Sequence, residues 1–412
     1  MNPIVGLWSL AGSTAVRLPL TQDGVLKVVH VVPSLDTSYG GPAVSVPSLA
    51  LAMKPLGFDP IFVSVDRSDA RNSLIEKANE PWFKALPAGT PIGYGSFELA
   101  GLLDKVISDS GAGIVHVHSV WGHPTIAAHR AARRRSIPLV ISPRSELYAE
   151  SLKKSRMLKS VFMTCFIRGV LRYASLLHAT DQKELEALGQ FVGLDRVALV
   201  PNGVDLTLGA MLESAPDAKR RLGIDPDVRV ILFLSRLHPR KNPEGVIRAW
   251  LTAGLAHRGW NLIMAGQPEE ASYQRELEAL VPVEFKSSVH WLGHVAGERK
   301  RSAFAAADIF CLPSFFENFG IAIAEALACS VPVVTTEETP WQELREKDAG
   351  RLVASNDINA LACTLEELAG MPEAELGLIG ERGRAIVEKY TWGSAGQSMA
   401  DAYARIQTQS AS

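Results

Sequence analysis

The stretch DIFCLPSFFENFGIAIAEALACSVPVVTT, residues 308–336, decides the fold. DIFCLPS (308–314) is a short apolar run closed by Pro313-Ser314, as a strand buried on both faces should be. Glu317-Asn318-Phe319-Gly320 reads as a turn, IAIAEALA as a helix, and VPVVTT (331–336) as a second buried strand. Strand, turn, helix and strand in succession argue for a parallel sheet covered by helices.

The same alternation extends both ways. Upstream lie VRVILFLSRL (228–237), NLIMAG (261–266) and VHWLG (289–293). An earlier series comprises VLKVVHVV (25–32), IFVSV (61–65), IVHVHSV (114–120), PLVIS (138–142), SLLHAT (175–180) and RVALVP (196–201). PNGVD (201–205) reads as a turn between the two series. The chain has 412 residues, more than one core usually spans, so two domains are expected. The fold class is α/β, with two Rossmann-like doubly wound domains facing across a cleft. The expected divisions are an extension over 1–24, a first domain over 25–205, a second over 206–390, and a final helix over 391–412 returning to the first. In such sheets ligands sit beyond the carboxyl ends of the strands.

Composition narrows the function class. A content of 47% hydrophobic and 21% charged residues is that of a globular protein. No apolar run is long enough for a transmembrane helix. Cys165, Cys311, Cys329 and Cys363 form no C-x-x-C pair, which favours reduced thiols and a cytoplasmic setting. Between 130 and 172 there are eleven basic residues and two acidic ones. Such a patch attracts phosphates or an anionic membrane surface. Apolar residues at 157, 158, 161, 162, 165 and 166 fall at helical spacing beside Lys153, Lys154, Arg156 and Lys159. The segment 151–174 therefore reads either as a helix lying on a membrane or as an ordinary domain helix. No nucleic-acid module is present, and no nucleic-acid partner is expected.

Four pieces carry chemistry. The start of the 321–328 helix offers unpaired N–H groups near Asn318, Phe319 and Gly320, a place for sugar hydroxyls or phosphate oxygens. Glu325 follows Glu317 by eight positions, a rise of ~12 Å if both were helical. That is too far for a pair of carboxyls acting on one bond. The two glutamates therefore suit two ends of one extended ligand. In LSRLHPRKN (234–242), Arg236 and Lys241 supply two cations in one loop, enough to neutralise a pyrophosphate without a metal. Gly40-Gly41 lets a backbone approach a phosphate closely. His118 stands at the end of a strand in VHVHSVWG. His116 and His118 share a face, but no third metal ligand of suitable spacing stands out. Asp225-Pro226-Asp227 is ordinary turn chemistry.

In order, the Gly-Gly-Pro turn, HVHSVW, SPR, PNGVD, SRL followed by Lys241, and Glu-x7-Glu resemble the retaining family-four glycosyltransferases of the GT-B fold. The resemblance spans residues 26–405 and is similar to the branch that builds bacterial surface polysaccharides. That branch more often has Gly-Met after SPR, and Ser145-Glu146 departs from it, which bears on the acceptor. The resemblance implies a nucleoside-diphosphate sugar as donor and a saccharide or lipid-linked acceptor, at the inner face of a membrane. It implies that Arg236 and Lys241 bind the diphosphate and that Glu325 holds the ribose hydroxyls. Glu317 would hold the sugar, with N–H groups from Asn318, Phe319 and Gly320. His118 would lie near the donor sugar, Gly41 near the phosphates, the base near His294-Val295, and Arg144 at the acceptor. No resident metal or cofactor is implied. Two other readings remain: a nucleotide-sugar epimerase of the same fold, and a non-catalytic nucleotide-sugar-binding protein.

Overall fold

The computed structural model describes residues 24–35, 40–64, 79–84, 98–148 and 160–409. Apart from Gly24, the extension expected over 1–24 lies outside them, as do Lys153, Lys154, Arg156 and Lys159.

Two parallel sheets organise the chain. The first contains β1 (Leu26–Val32), β2 (Phe58–Ser64), β3 (Trp82–Lys84), β4 (Ile114–Val117), β5 (Leu139–Ile141), β6 (Leu176–Ala179) and β7 (Val197–Leu199), in the order β3-β2-β1-β4-β5-β6-β7. The second contains β8 (Val230–Leu234), β9 (Asn261–Ala265), β10 (Val289–Gly293), β11 (Ile309–Leu312), β12 (Val333–Thr336) and β13 (Gly350–Val353), in the order β10-β9-β8-β11-β12-β13. Each sheet starts at an inner strand, winds outward, then returns to build the other side. The reversal opens a crevice between β1 and β4 and another between β8 and β11, the positions where doubly wound sheets bind ligands. These are two Rossmann-like domains of the GT-B arrangement.

Most strand residues are apolar because helices cover both faces. Val29, Val31, Val115 and Val117 are wholly buried on one side of the first sheet, and Val28, Ile114 and Val140 on the other. Two strands escape the sequence reading, WFK at β3 and GRLV at β13. Both are short edge strands that carry a basic residue, so neither shows the uninterrupted apolar run that marks the central ones.

The final helix, Trp392–Gln409, packs on the first domain. Its Met399, Tyr403 and Ile406 join Leu26, Leu49, Ile114 and Leu176 in one buried cluster. The chain crosses between the domains at one place. Val204, on the way out, bridges Thr391 on the way back, with Val204 N donating to Tyr390 O at 2.7 Å.

The segment expected to present one apolar face over 151–174 differs in its described part. A π-turn over Met163–Ile167 inserts an extra residue ahead of the helix Arg168–Tyr173. Met163, Ile167, Val170 and Leu171 are buried, whereas Val161, Cys165 and Phe166 face outward. The widened turn shifts the helical register, so the inward face is carried by residues other than the spaced apolar positions 161, 165 and 166.

Candidate functional site

The second domain supplies a charged loop. β8 ends at Leu234, and Arg236 follows, exposed. Pro239–Lys241 makes one tight turn, in which His238 Nδ1 accepts from Arg240 N at 2.9 Å. Asn242, left-handed at φ 55°, then caps the helix Pro243–Thr252 by accepting from Gly245 N. These two caps fix the direction of Lys241. Its Nζ reaches Glu317 Oε1 at 2.6 Å, and the same oxygen accepts from Ser314 Oγ at 2.9 Å. Ser314 is fully buried, and nothing in its sequence neighbourhood marks it for this role.

Glu317 lies in the bend before the helix Ile321–Ala328, so the ~12 Å rise for two residues on one helix does not describe this pair. The helix begins only after Gly320, whose φ of 75° lies in the left-handed region. A side chain there would also meet Ile323 Cδ1 at 2.9 Å. Trp341 Nε1 holds the bend by donating to Phe319 O at 2.6 Å. Among the described residues no side chain caps the helix, so its first N–H groups are left without a side-chain acceptor. Asn318 Oδ1 is buried without a hydrogen-bond partner among the described residues. Glu325, further along the helix, pairs with Lys300 at 2.5 Å, a partner absent from the sequence reading. His294 (exposed) and Val295 (buried) form the link between β10 and the helix Gly297–Ala305 that carries Lys300.

The first domain meets this group across the cleft. Gly40 caps the helix Gly41–Ala52 with φ 105°, and a Cβ on it would lie 3.5 Å from Arg236 Nε. A Cβ on Gly41 would lie 3.9 Å from Ile321 Cδ1. The turn after β1 thus faces both the loop after β8 and the helix after β11. Tyr148 of the first domain and Phe316 of the second meet edge to face, with ring centroids 5.0 Å apart.

His118 and Arg144 belong to a buried polar network. Arg144 Nη2 lies 3.3 Å from His118 Nδ1, and His118 Nε2 lies 3.0 Å from His30 Nδ1. Both ring nitrogens of His118 are thereby engaged inside the first domain, which leaves neither for a donor sugar in this arrangement. Arg144 also donates to Ser45 Oγ at 3.0 Å, and burial lowers its pKa to about 10 against the opposing pull of Glu184. Arg144 and Ser145 have φ of 51° and 62°, consecutive left-handed residues that need outside support. Glu184 supplies it, accepting from Ser145 N at 2.6 Å and Thr180 N at 2.9 Å. Glu146 ties the same turn to the other strand end, accepting from Val120 N at 2.6 Å and Ser119 Oγ at 3.2 Å. Ser145-Glu146, the departure noted in the sequence, is the stretch that locks these loops together.

His30 is the residue the sequence reading lacked as a third imidazole. It stands opposite His116 in the β1–β4 register, and ring nitrogens of His30, His116 and His118 lie within 4.8 Å of one another. The chemistry of the set is poor for a cation. It holds no carboxylate, the Arg144 guanidinium adjoins it, and His116 has both nitrogens engaged, at 2.7 Å to Tyr403 Oη and 2.6 Å to Ser142 Oγ. Burial, aided by Arg144, pushes the pKa of His30 and of His178 down to about 3.

Comparison with known proteins agrees with this fold. Residues 214–379 match the family profile "Glycosyl transferases group 1", and residues 40–203 match "Glycosyl transferase 4-like domain". A D-inositol 3-phosphate glycosyltransferase of Xylanimonas cellulosilytica is 32% identical over 247 residues, 57% of this chain and 58% of that protein. The chain spans 54% to 63% of the length of the first curated relatives it matches. Among solved structures, Anabaena HepE, in complex with UDP and glucose, superposes with TM-score 0.76 at 21% identity, over 92% of this chain and all of that one. A glycosyltransferase from Rickettsia africae gives TM-score 0.75 at 18% identity, over 93% of this chain and 98% of that one. The chain therefore belongs to the group 1 glycosyltransferases of the GT-B fold, with a glycosyl transferase 4-like domain preceding the group 1 domain.

Proposed function

We propose that the chain is a retaining glycosyltransferase that moves a sugar from a nucleoside diphosphate to a hydroxyl of a saccharide or lipid-linked acceptor in polysaccharide synthesis. The observation that carries this reading is the meeting of Arg236, Lys241, Glu317 and the open start of the Ile321–Ala328 helix with Gly40 and Gly41 across the cleft. Two cations and a helix N-terminus stabilise the negative charge that grows on a departing diphosphate. The anomeric carbon–oxygen bond to phosphate breaks, and a bond to the acceptor oxygen forms on the same face. The acceptor proton passes to a phosphate oxygen of the leaving group, so no enzyme carboxylate serves as nucleophile. Glu317 and Glu325 position the sugar and the ribose, and the reading assigns no resident metal. The UDP-bound Anabaena structure supports a nucleoside-diphosphate sugar as donor.

A membrane-associated acceptor suits the first domain. Among the described residues no helix is long and apolar enough to cross a membrane. Instead, exposed Phe166 lines a surface groove of about 580 Å³ bordered by Arg130, Arg133 and Arg134, and Val161 is exposed on the same helical segment. Apolar side chains beside arginines fit an anionic bilayer face.

The deciding experiment measures nucleoside diphosphate release from a panel of UDP- and GDP-sugars, with and without lipid-linked acceptors. Product anomers are assigned by NMR. Turnover with retained configuration is the expected result. Absence of both turnover and binding for every donor would overturn the reading.

A further inference from the structure

We propose that Tyr403 is a positioning residue for the Arg144 turn, acting from the final helix through a one-way chain of hydrogen bonds along His116, Ser142 and His178. The activity arm of its test rests on the proposed function, and the spectroscopic arm does not.

The chain's direction follows from its far end. Val200 O can only accept, so His178 Nε2, 2.8 Å away, carries the ring proton. His178 Nδ1 must then accept, and Ser142 Oγ donates to it at 2.7 Å. With its one proton used, Ser142 accepts from His116 Nε2 at 2.6 Å. His116 Nδ1 is left as an acceptor, and Tyr403 Oη donates to it at 2.7 Å. Every member has one proton and one place for it, so the chain holds a single arrangement. His30, His116, His118 and His178 are all buried, and burial keeps the imidazoles neutral.

The middle of the chain lies where the site needs rigidity. Ser142 precedes the left-handed pair Arg144-Ser145 by one proline. A second chain, from Arg144 through His118 to His30, runs beside it, with the His116 and His118 ring centroids 4.1 Å apart. Tyr403 is donated by the helix that returns from the second domain, and it is the only member of the first chain outside the sheet and its loops. Removing its hydroxyl leaves His116 Nδ1 bare and frees Ser142 to loosen, which lets the Arg144 turn relax.

The test compares wild type with Tyr403→Phe and Ser142→Ala. In protein labelled with ¹⁵N-histidine, ring spectra of wild type show four neutral Nε2–H imidazoles that do not change between pH 8 and 5.5. Tyr403→Phe shifts the nitrogens of His116 and, through Ser142, of His178. In transfer assays Tyr403→Phe lowers kcat/KM for the acceptor by roughly 10-fold, the scale of a small misplacement, and changes donor hydrolysis less than about twofold. The double variant is no worse than Ser142→Ala alone. Unmoved His178 signals, or losses that simply add, would overturn the proposal. Should wild type transfer no sugar, the proposed function fails, and the His178 signals alone decide for or against the chain. Should Tyr403→Phe not fold, Ser142→Ala, which cuts the chain at its middle, must shift both His116 and His178.

Discussion

Lys241 Nζ and Glu317 Oε1 stand 2.6 Å apart, and they come from the loops that follow neighbouring strands, β8 and β11. Their side chains are only 19% and 9% exposed. A pair this sheltered costs desolvation and returns it through contact. A diphosphate arriving beside Arg236 would offer Lys241 a second and more highly charged partner. Ser314 Oγ remains on Glu317, which keeps that carboxylate satisfied and free to accept a sugar hydroxyl. Under the proposed function, the ion pair is a resting arrangement of the charge clamp.

Lys241→Ala should lower kcat by about 100- to 1000-fold, the usual cost of removing one donor that stabilises developing charge. The fold should survive, because Glu317 keeps its bond to Ser314, at a loss of about 1–3 kcal/mol for a partly unsatisfied buried group. Steady-state kinetics and thermal unfolding check the two parts separately. A kcat within threefold of wild type would show that Lys241 does not face the leaving group.

Much of the candidate site could be read in the sequence because it is local. Arg236, Lys241, Glu317 and Gly320 sit just after apolar strand runs, and a strand end at a sheet's reversal is where ligands bind. Residues whose role depends on distant packing left no such mark. Lys300, Ser314 and Glu184 look like ordinary polar residues of their own elements, and Tyr403 looks like a core aromatic. His30 did leave a trace, a lone imidazole in a strand that is apolar apart from it and Lys27. Its meaning needed the β1–β4 register. The π-turn at Met163–Ile167 was illegible for another reason, since a one-residue insertion in a helix leaves the apolar composition unchanged.

Acid should destabilise the first domain. His30 and His178 have folded pKa values of about 3, below their ordinary 6.5. The unfolded chain therefore takes up protons below about pH 6.5 that the folded chain refuses. Stability is whole above that pH and declines as the pH falls toward 3. Each imidazole contributes about 1.4 kcal/mol per pH unit, so the pair removes roughly 4 kcal/mol by pH 5. Urea midpoints measured from pH 7.5 to 5 should fall accordingly. A flat profile would mean that these rings are hydrated or charged in the folded state.

Neutralising Arg130 and Arg133 to Gln should weaken binding to vesicles rich in phosphatidylglycerol by about 30-fold, at about 1 kcal/mol for each basic residue near the surface. Phe166→Ser should weaken it further, and neutral phosphatidylcholine vesicles should bind none of the proteins well. Flotation assays read all three. Equal flotation of wild type and variants would remove this face from consideration.

Lys300 and Glu325 are 2.5 Å apart, on the helix after β10 and the helix after β11, so the pair ties these two helices together. Glu325 spends one oxygen on Lys300, which steadies the carboxylate for the ribose hydroxyls assigned to it. Lys300→Met should raise the donor KM by about 5- to 10-fold and leave kcat within about twofold, the pattern of an interaction made equally in ground and transition states. Glu325→Ala should raise the donor KM further. Titration with a nucleoside monophosphate separates the ends of the ligand: both variants should bind it more weakly, because the ribose end is the part they touch. If Lys300→Met instead lowers kcat as strongly as Lys241→Ala and binds the monophosphate normally, Lys300 belongs to the phosphate clamp and Glu325 loses its role at the ribose.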